Sequence, residues 1–341
     1  MRQVMINTDR TVVVVEAADP VPPGPGGAVV TVDATSICGS DLHFYDGDLP
    51  LIAPLSIGHE FVGTVAAIGA EVRTIKVGDR VMCSCLAGCG QCDGCLAGDP
   101  ATCASGVEVF GSGVLQGGQA TSVAVPGADF QLRALPDSID DDAALLLTDN
   151  LCTGWTGAKR ANVPPGGTVV VLGLGAVGMC AVRSAVAQGA GQVLAADPVA
   201  GRRAMAAASG ATPIEGPTIP AVMDATGGRG AHAVIDAVAL DTTLDDAFGA
   251  VRAGGTVSVI GVHDLNPYPV PMLTALFRSI TLTMNTAAVH QSWKELIPLV
   301  ESGAIRTDGI VTHRFPLDAA AAAYALAAER RGDCLKVALQ P

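Results

Sequence analysis

The chain has 341 residues, of which 49% are apolar and 16% are charged, and its formal net charge is -13. This length is enough for two domains that each bury a core. The acidity argues against nucleic acid or an anionic membrane as a partner, because both would repel the protein. The sequence has no run of about 18 apolar residues to span a bilayer. It also begins without the apolar core of a signal peptide, so we expect a cytoplasmic protein.

Short alternating strands predominate in the first third of the chain. Residues 11–35 contain two of them around a Pro- and Gly-rich turn, and others are predicted at Phe61–Ile68 and Asp79–Cys85. Strands this short, separated by turn residues, predict an all-β, barrel-like N-terminal part.

A compact cysteine cluster follows, with the members Cys89, Cys92, Cys95 and Cys103. This spacing lets four thiolates surround one tetrahedral zinc ion. In a reducing compartment, metal explains the ten cysteines of the chain better than disulfides do. Four thiolates leave no open coordination position, so the pattern indicates a structural zinc site. Cys83 and Cys85, just upstream, are interpreted as packed thiols.

A second set of metal-binding residue types lies earlier in the chain and includes Cys38, Ser40, His43, His59 and Glu60. Thiols and imidazoles are ligands that zinc selects, and Glu60 could close or support such a site. Taken alone, single Cys and His residues are as compatible with a buried core. Asp149 interrupts an apolar run in a helix predicted over Ala143–Ala161. A kink or a turn would also explain it.

Strand–helix alternation begins after a Pro-Pro-Gly-Gly sequence, which places a domain boundary at residues 150–165. The strand Thr168–Leu172 leads into Gly173, Gly175 and Gly178, then a helix, and the next strand ends at Asp197. A G-x-G-x-x-G motif in this context is typical of a dinucleotide site, with the pyrophosphate at the helix N-terminus. Asp197 would bind both adenosine ribose hydroxyls and repel a 2′-phosphate, which predicts NAD over NADP. A tight turn without a ligand is the weaker alternative.

The remaining pattern continues the alternation. Strands are predicted at Ala233–Ala237, Thr256–Ile260, Ile280–Met284 and Cys334–Leu339, and helices at Thr242–Arg252, His290–Gly303 and Leu317–Arg331. The last strand is expected to rejoin the first domain. Ile280–Met284 is expected at the sheet edge, where it could pair with its copy across a two-fold axis to give a homodimer or homotetramer.

These motifs, in this order, resemble the zinc-dependent medium-chain alcohol dehydrogenases over essentially the whole chain. The resemblance implies an α/β fold, namely a GroES-like β-barrel catalytic domain plus a Rossmann doubly wound parallel sheet. The catalytic domain would comprise residues 1–150 and 288–341, with the zinc lobe at 89–103, and the NAD-binding domain residues 151–287. The active site would lie between the two domains.

The resemblance also assigns roles to individual residues and implies two zinc ions per chain and NAD. Cys38, His59 and Asp149 match the catalytic zinc ligands, with Glu60 as an adjacent, exchanging ligand, and Ser40 and His43 match the proton relay. Cys89, Cys92, Cys95 and Cys103 match the structural zinc ligands. The cofactor contacts would come from Thr153, Gly173, Gly175, Val177, Gly178, Asp197, Arg202, Ile260, Val262 and Lys336. Gly39 departs from the pattern, because some relatives place a pyrophosphate-binding Arg there.

The expected function is therefore an NAD-dependent zinc alcohol dehydrogenase. It would interconvert a small alcohol, secondary or of broad range, with its ketone or aldehyde. A polyol or sugar dehydrogenase of the same superfamily would share every motif and differ in pocket polarity. A catalytically silent NAD- and zinc-binding module is the alternative from another class. Leu49, Phe110, Trp155 and Ile260 are candidates both for an apolar substrate pocket and for the core.

Overall fold

The computed structural model describes residues 1–330 and 334–341. The strands are β1 (Arg2–Ile6), β2 (Val12–Glu16), β3 (Ala28–Ile37), β4 (Leu55–Ser56), β5 (Phe61–Ile68), β6 (Arg80–Cys83), β7 (Leu86–Ala87), β8 (Glu108–Val109), β9 (Ser122–Val125), β10 (Leu132–Ala134), β11 (Thr168–Leu172), β12 (Gln192–Ala196), β13 (Thr212–Pro213), β14 (Ala231–Asp236), β15 (Val251–Val259), β16 (Thr281–Met284), β17 (Val311–Pro316) and β18 (Lys336–Gln340).

The α-helices are α1 (Gly39–Asp46), α2 (Asp93–Leu96), α3 (Ala128–Gln131), α4 (Asp141–Thr148), α5 (Asn150–Ala161), α6 (Ala176–Ala187), α7 (Ala200–Ala208), α8 (Thr218–Ala225), α9 (Asp241–Ala250), α10 (Met272–Phe277), α11 (Val289–Glu301) and α12 (Ala320–Ala328). The predicted helix end at Arg331 lies outside the described residues.

Two large sheets organise the chain. The first has seven strands in the order β10-β6-β5-β3-β18-β17, with β9 also paired to β3. Its strand β18 lies antiparallel to β3, with Val337 opposite Ile37, so the closing strand does rejoin the N-terminal sheet as predicted. A three-stranded sheet, β2-β1-β4, lies beside it in the chain's N-terminal part.

The second large sheet has six strands in the order β13-β12-β11-β14-β15-β16, and each neighbouring pair is parallel. This is the 3-2-1-4-5-6 order of a doubly wound dinucleotide fold. The inner strand β11, Thr-Val-Val-Val-Leu, is β-branched and almost wholly buried, as is typical of a parallel strand that is covered on both faces. The predicted fold class is confirmed, and β16 is the edge strand as expected.

The helix predicted over Ala143–Ala161 is wrong in one respect, because it is two helices that meet at Asp149. Asp149 ends α4 and begins α5 with φ -154° and ψ -72°, well outside the helical region. The break turns the Asp149 side chain out of the apolar run. The kink that the sequence left open is thus real, and it presents a carboxylate.

One hydrophobic core continues from the first large sheet to the second. It includes Val62 and Met82 of the first sheet, Leu145–Leu147 of α4, and Val169 and Ile235 of the second. The indole N–H of Trp293 in α11 donates to the carbonyl of Leu147 at 2.8 Å. The α4–α5 junction is therefore held in a packed interior. Among the described residues, no helix is both long and apolar enough to cross a bilayer.

Candidate active site

The four residues predicted to bind the catalytic metal come together. Cys38 precedes α1, His59 and Glu60 precede β5, and Asp149 joins α4 to α5. One ligand atom from each lies within 4.8 Å of the others. Asp149 Oδ2 is 3.5 Å from Cys38 Sγ and 3.5 Å from His59 Nε2. Three separate parts of the chain thus form one set of zinc-type donors, a thiol, an imidazole and carboxylates.

Gly58 is required for this convergence. Its φ of +101° is a conformation that residues with a side chain rarely adopt, and a Cβ there would lie 2.5 Å from Gln119 Cγ. The tight turn at Gly58 directs His59 and Glu60 inward just before β5. The Gly-His-Glu sequence therefore has a steric reason for its glycine.

Asp41 orients the site, a role that the sequence did not reveal. Its buried carboxylate accepts from the Cys38 backbone N–H at 2.9 Å and from Gln119 Nε2 at 3.1 Å. Its Oδ1 also lies 3.3 Å from His59 Nδ1. A carboxylate on Nδ1 fixes the imidazole and leaves Nε2 for a metal, as in many zinc sites. The available signal was an acid in the first turn of a helix that begins directly after Cys38.

Glu60 is held by a buried network that spans the two ends of the chain. Its carboxylate forms an ion pair with Lys336, and the two side chains are 0% and 1% exposed. Ser36 also donates to it, and Asn150 Nδ2 donates at 2.8 Å. Burial raises the pKa of Glu60, and the Lys336 ammonium counteracts that rise. Both carboxylate oxygens are thus occupied by protein donors while remaining beside the candidate ligands.

The electrostatics of the cluster favour a cation. Burial opposes a charge on His59, but Asp41, Cys38 and Asp149 outweigh it and raise the His59 pKa well above its ordinary value. Burial raises the pKa of the Cys38 thiol, and the Glu60 charge adds to the rise. For Asp149, burial is outweighed by the hydrogen bond and charge of His59, which lower its pKa. The acidic groups thus keep the His59 imidazole protonated. A divalent ion bound at this position could replace that positive charge, so the donor set fits zinc.

Ser40 and His43 lie on α1, next to the cluster. The Ser40 hydroxyl is 3.4 Å from His59 Nε2. His43 is three residues further along, on the same side of the helix, and its Nδ1 is 2.9 Å from Asp48 Oδ2. The Ser40 hydroxyl, beside the candidate metal ligands, and the half-buried His43 imidazole are therefore one helical turn apart.

The four-cysteine lobe also forms a compact set of donors. One sulfur from each of Cys89, Cys92, Cys95 and Cys103 lies within 4.8 Å of the others, and none of these four cysteines is in a disulfide. The Gln91 and Cys92 backbone N–H groups lower the pKa of Cys89 to about 6. A Cβ on Gly88 would lie 2.6 Å from Cys95 Sγ. The lobe fits one tetrahedral zinc ion.

A cleft of about 240 Å³ joins the metal-type cluster to the glycine-rich loop. Cys38 and Asn150 line one side, and Gly173, Gly175 and Asp197 line another. Gly175 precedes α6, and nothing lies within 4 Å of a Cβ placed there, whereas a Cβ on Gly178 would lie 1.8 Å from the Gly173 oxygen. The open space at Gly175 leaves room for a ligand, and the missing side chain at Gly178 lets β11 and α6 approach each other. The cradle therefore fits a dinucleotide.

Asp197 is positioned at this cleft by the loop that it follows. Its Oδ2 accepts from the Leu174 backbone N–H at 2.7 Å and its Oδ1 from Val199 at 2.8 Å. Arg202 Nη1 is 3.7 Å from the same carboxylate. These contacts fix the acid at the end of β12, where a ribose would lie in a fold of this kind.

The other residues predicted to contact a cofactor are distributed more widely. Val177, Arg202 and Lys336 line the cleft. Thr153 donates to Asp149 Oδ1 at 2.9 Å and so supports the metal-type cluster. Ile260 is buried in the core, and Val262 is exposed. Phe110 and Trp155 are core residues as well.

Comparison with known proteins agrees with this geometry. Residues 24–137 match the alcohol dehydrogenase GroES-like domain family, and residues 176–302 match the zinc-binding dehydrogenase family. A protein of Mycobacterium tuberculosis that carries the name zinc-binding alcohol dehydrogenase is 54% identical, over 100% of this chain and 89% of its own. The chain belongs to the zinc-type medium-chain alcohol dehydrogenases. It is an oxidoreductase of that family.

Two solved structures extend the comparison. The alcohol dehydrogenase from Thermus sp. ATN1 superposes with a TM-score of 0.92 at 34% identity, covering 100% of this chain and 99% of the other. A zinc-binding dehydrogenase from Sinorhizobium meliloti 1021, solved with NADP, has a TM-score of 0.86 at 28% identity, with 100% and 99% covered. The family is thus certain, whereas the choice between NAD and NADP depends on this chain's own residues.

Proposed function

We propose that the protein is an NAD-dependent zinc alcohol dehydrogenase that interconverts a small alcohol, secondary or of broad range, with its ketone or aldehyde. The observation that carries this proposal is that one cleft is lined both by Cys38, a member of the metal-type cluster, and by the glycine-rich loop with Asp197. A hydride can pass directly only between groups in contact, so a shared cleft is what the chemistry requires.

Two zinc sites belong to the proposal. Cys38, His59 and Asp149 would hold a catalytic ion and leave a position open, while Glu60 stands beside it in its network with Lys336. Cys89, Cys92, Cys95 and Cys103 would hold a structural ion. When bound, the catalytic ion supplies Lewis acidity that lowers the pKa of a hydroxyl group by several units, and NAD supplies the hydride acceptor.

The chain's own residues would manage the proton. The Ser40 hydroxyl, beside His59, would accept the proton that leaves the substrate hydroxyl and release its own proton towards His43. His43, one turn along α1, passes it to solvent, and Asp48 orients its imidazole through Nδ1. Ser40→Ala should greatly reduce turnover while zinc content stays the same. A fully active Ser40→Ala variant would contradict the relay.

NAD rather than NADP follows from Asp197. Its carboxylate would accept hydrogen bonds from the ribose hydroxyls and repel a 2′-phosphate. Asp197→Ala should therefore reduce the ratio of NAD to NADP activity, and an unchanged ratio would refute this reading.

Two measurements test the function as a whole. Metal analysis of the purified protein should find two zinc ions per chain, whereas one ion would favour a catalytically silent module. Initial rates with NAD on primary alcohols, secondary alcohols and polyols should be highest for secondary or mixed small alcohols. Activity confined to polyols would identify the polyol branch instead.

Self-association is the last part of the proposal. Strand β16 is the exposed edge of the six-stranded sheet, and helix α10, just before it, has no buried residue. Phe277 and Met284 are 81% and 60% exposed. An apolar edge of this kind is suited to pairing with a second copy about a two-fold axis. Light scattering should find a dimer or tetramer, and a monomer would contradict this part of the proposal.

A further inference from the structure

The cleft contains few positive charges for a ligand that carries a pyrophosphate. Among the described residues that line it, the cationic side chains are Arg202, Arg330 and Lys336. The protein as a whole has a net charge of -13, so it repels an anionic ligand at long range. Local cations are therefore the groups that can offset this repulsion.

Two of the three cations are already paired inside the protein. The Lys336 ammonium is 1% exposed and forms an ion pair with Glu60. Arg202 donates to the Cys334 carbonyl at 3.1 Å, and its other terminal nitrogen is 3.7 Å from Asp197. Moving either cation to a phosphate would leave a buried carboxylate without its partner, which is costly.

Arg330 differs from both in its surroundings. It follows α12 with a φ of +50°, and its side chain is 52% exposed. Its Nη2 donates to Asp46 Oδ2 at 2.7 Å, and Asp46 is the last residue of α1. Within residues 1–330 and 334–341, this carboxylate is the only partner of the guanidinium. An exposed ion pair contributes little to stability, so exchanging it for a stronger partner costs little.

The cleft wall has room for a phosphate group. No atom lies within 4 Å of a Cβ placed on Gly175, at the start of α6, or on Gly39, at the start of α1. The N-terminus of α6 offers backbone N–H groups to an anion, but no formal charge. A planar guanidinium can bind two phosphate oxygens at once.

We propose that Arg330 binds the pyrophosphate of the dinucleotide, exchanging its contact with Asp46 for phosphate oxygens. The inference rests on the proposed function, because it takes the dinucleotide as the occupant of the cleft. It also explains how the chain binds a pyrophosphate with a glycine at position 39.

Equilibrium binding to the zinc-loaded protein tests this without measuring turnover. Calorimetric titration with ADP-ribose and fluorescence titration with NADH would give the dissociation constants of wild type and variants. Arg330→Gln should weaken both ligands about tenfold, or about 1.4 kcal/mol, and Arg330→Lys should weaken them less, because it keeps the charge. The affinity of Arg330→Gln should also depend less steeply on salt, since one phosphate contact is lost.

Arg314→Gln is the matched control. Arg314 lies on β17, where it pairs with Asp142 and does not line the cleft, so this variant should bind as wild type does. ADP-ribose and NADH binding by Arg330→Gln within about twofold of wild type would overturn the inference while the proposed function stands. If the wild type binds neither ligand, the proposed function itself is wrong, and the role of Arg330 is wrong with it.

Discussion

The buried side chain of His290 should make the free energy of unfolding depend on pH, in a direction and by an amount that follow from its pKa. The residue lies in the first turn of α11, with its ring stacked on Phe130 at a centroid distance of 4.0 Å. Its Nε2 is 2.9 Å from the Phe130 carbonyl. Burial lowers the pKa of His290 from 6.5 to about 4, although the Phe130 carbonyl acts in the opposite direction. The native imidazole is therefore neutral at pH 5, and the unfolded one is protonated.

The pH dependence follows from that difference. The free energy of unfolding is unaffected by His290 above its unfolded pKa of 6.5 and decreases as the pH falls towards the folded value of about 4. Below pH 6.5 the unfolded state binds a proton that the native state does not. Between pH 7.5 and pH 5, the loss from this one residue is about 2 kcal/mol.

The assay is urea unfolding at both pH values with zinc in excess, followed by tryptophan fluorescence. His290→Gln is the informative variant, because its amide can still donate to the Phe130 carbonyl but cannot titrate. From pH 7.5 to 5, the wild type should lose about 2 kcal/mol more unfolding free energy than the variant. Protonation of the zinc ligands affects both proteins equally and cancels. Equal losses would refute the reasoning.

Three further predictions concern the site. Lys336→Met should destabilise the fold by about 3–5 kcal/mol in a urea titration, because it leaves Glu60 buried and unpaired. Adding Glu60→Gln should restore most of that loss. If the double variant is as unstable as the single one, the ion pair does not contribute as described. Gly175→Ala should keep the stability of wild type, since no atom lies within 4 Å of the new Cβ. It should weaken NADH binding, because the added methyl group obstructs the pyrophosphate. Unchanged affinity for NADH would mean that the ligand binds elsewhere. Cys89→Ser should lower the zinc content by one ion per chain, whereas Cys83→Ser should not, and equal metal content in both would exclude the lobe as a zinc site.

Local patterns in the sequence predicted much of the fold. The bounds of β5 and β11 agree with the predicted strands, because runs rich in β-branched residues end at turn residues that are visible in the sequence. Helices α7, α8 and α10 were missed. They are only six to nine residues long, α7 consists largely of alanine, and α10 buries none of its side chains, so no long apolar stripe marks them.

The metal-type donors of the site could be predicted, but their supports could not. Cys38 and His59 stand in a recognisable local pattern, and Asp149 is conspicuous as an acid in an apolar run. The contacts of Lys336 and Asn150 with Glu60 have no such signal, since each side chain reaches Glu60 from a position at least 90 residues away. Contacts of that kind are set by the pairing of β18 with β3 and by the break between α4 and α5, which are features of the tertiary structure.

The pairing of β18 with β3 also imposes an order on folding. The six-stranded sheet draws its strands from one continuous stretch, Thr168 to Met284, whereas the seven-stranded sheet needs both β3 and β18. During synthesis the six-stranded sheet can form while the seven-stranded sheet still lacks β18, the strand between β3 and β17. Glu60 then has no Lys336 to neutralise it until residues 336–340 emerge. The surroundings of the metal-type cluster are therefore completed last, around a sheet that can already be folded.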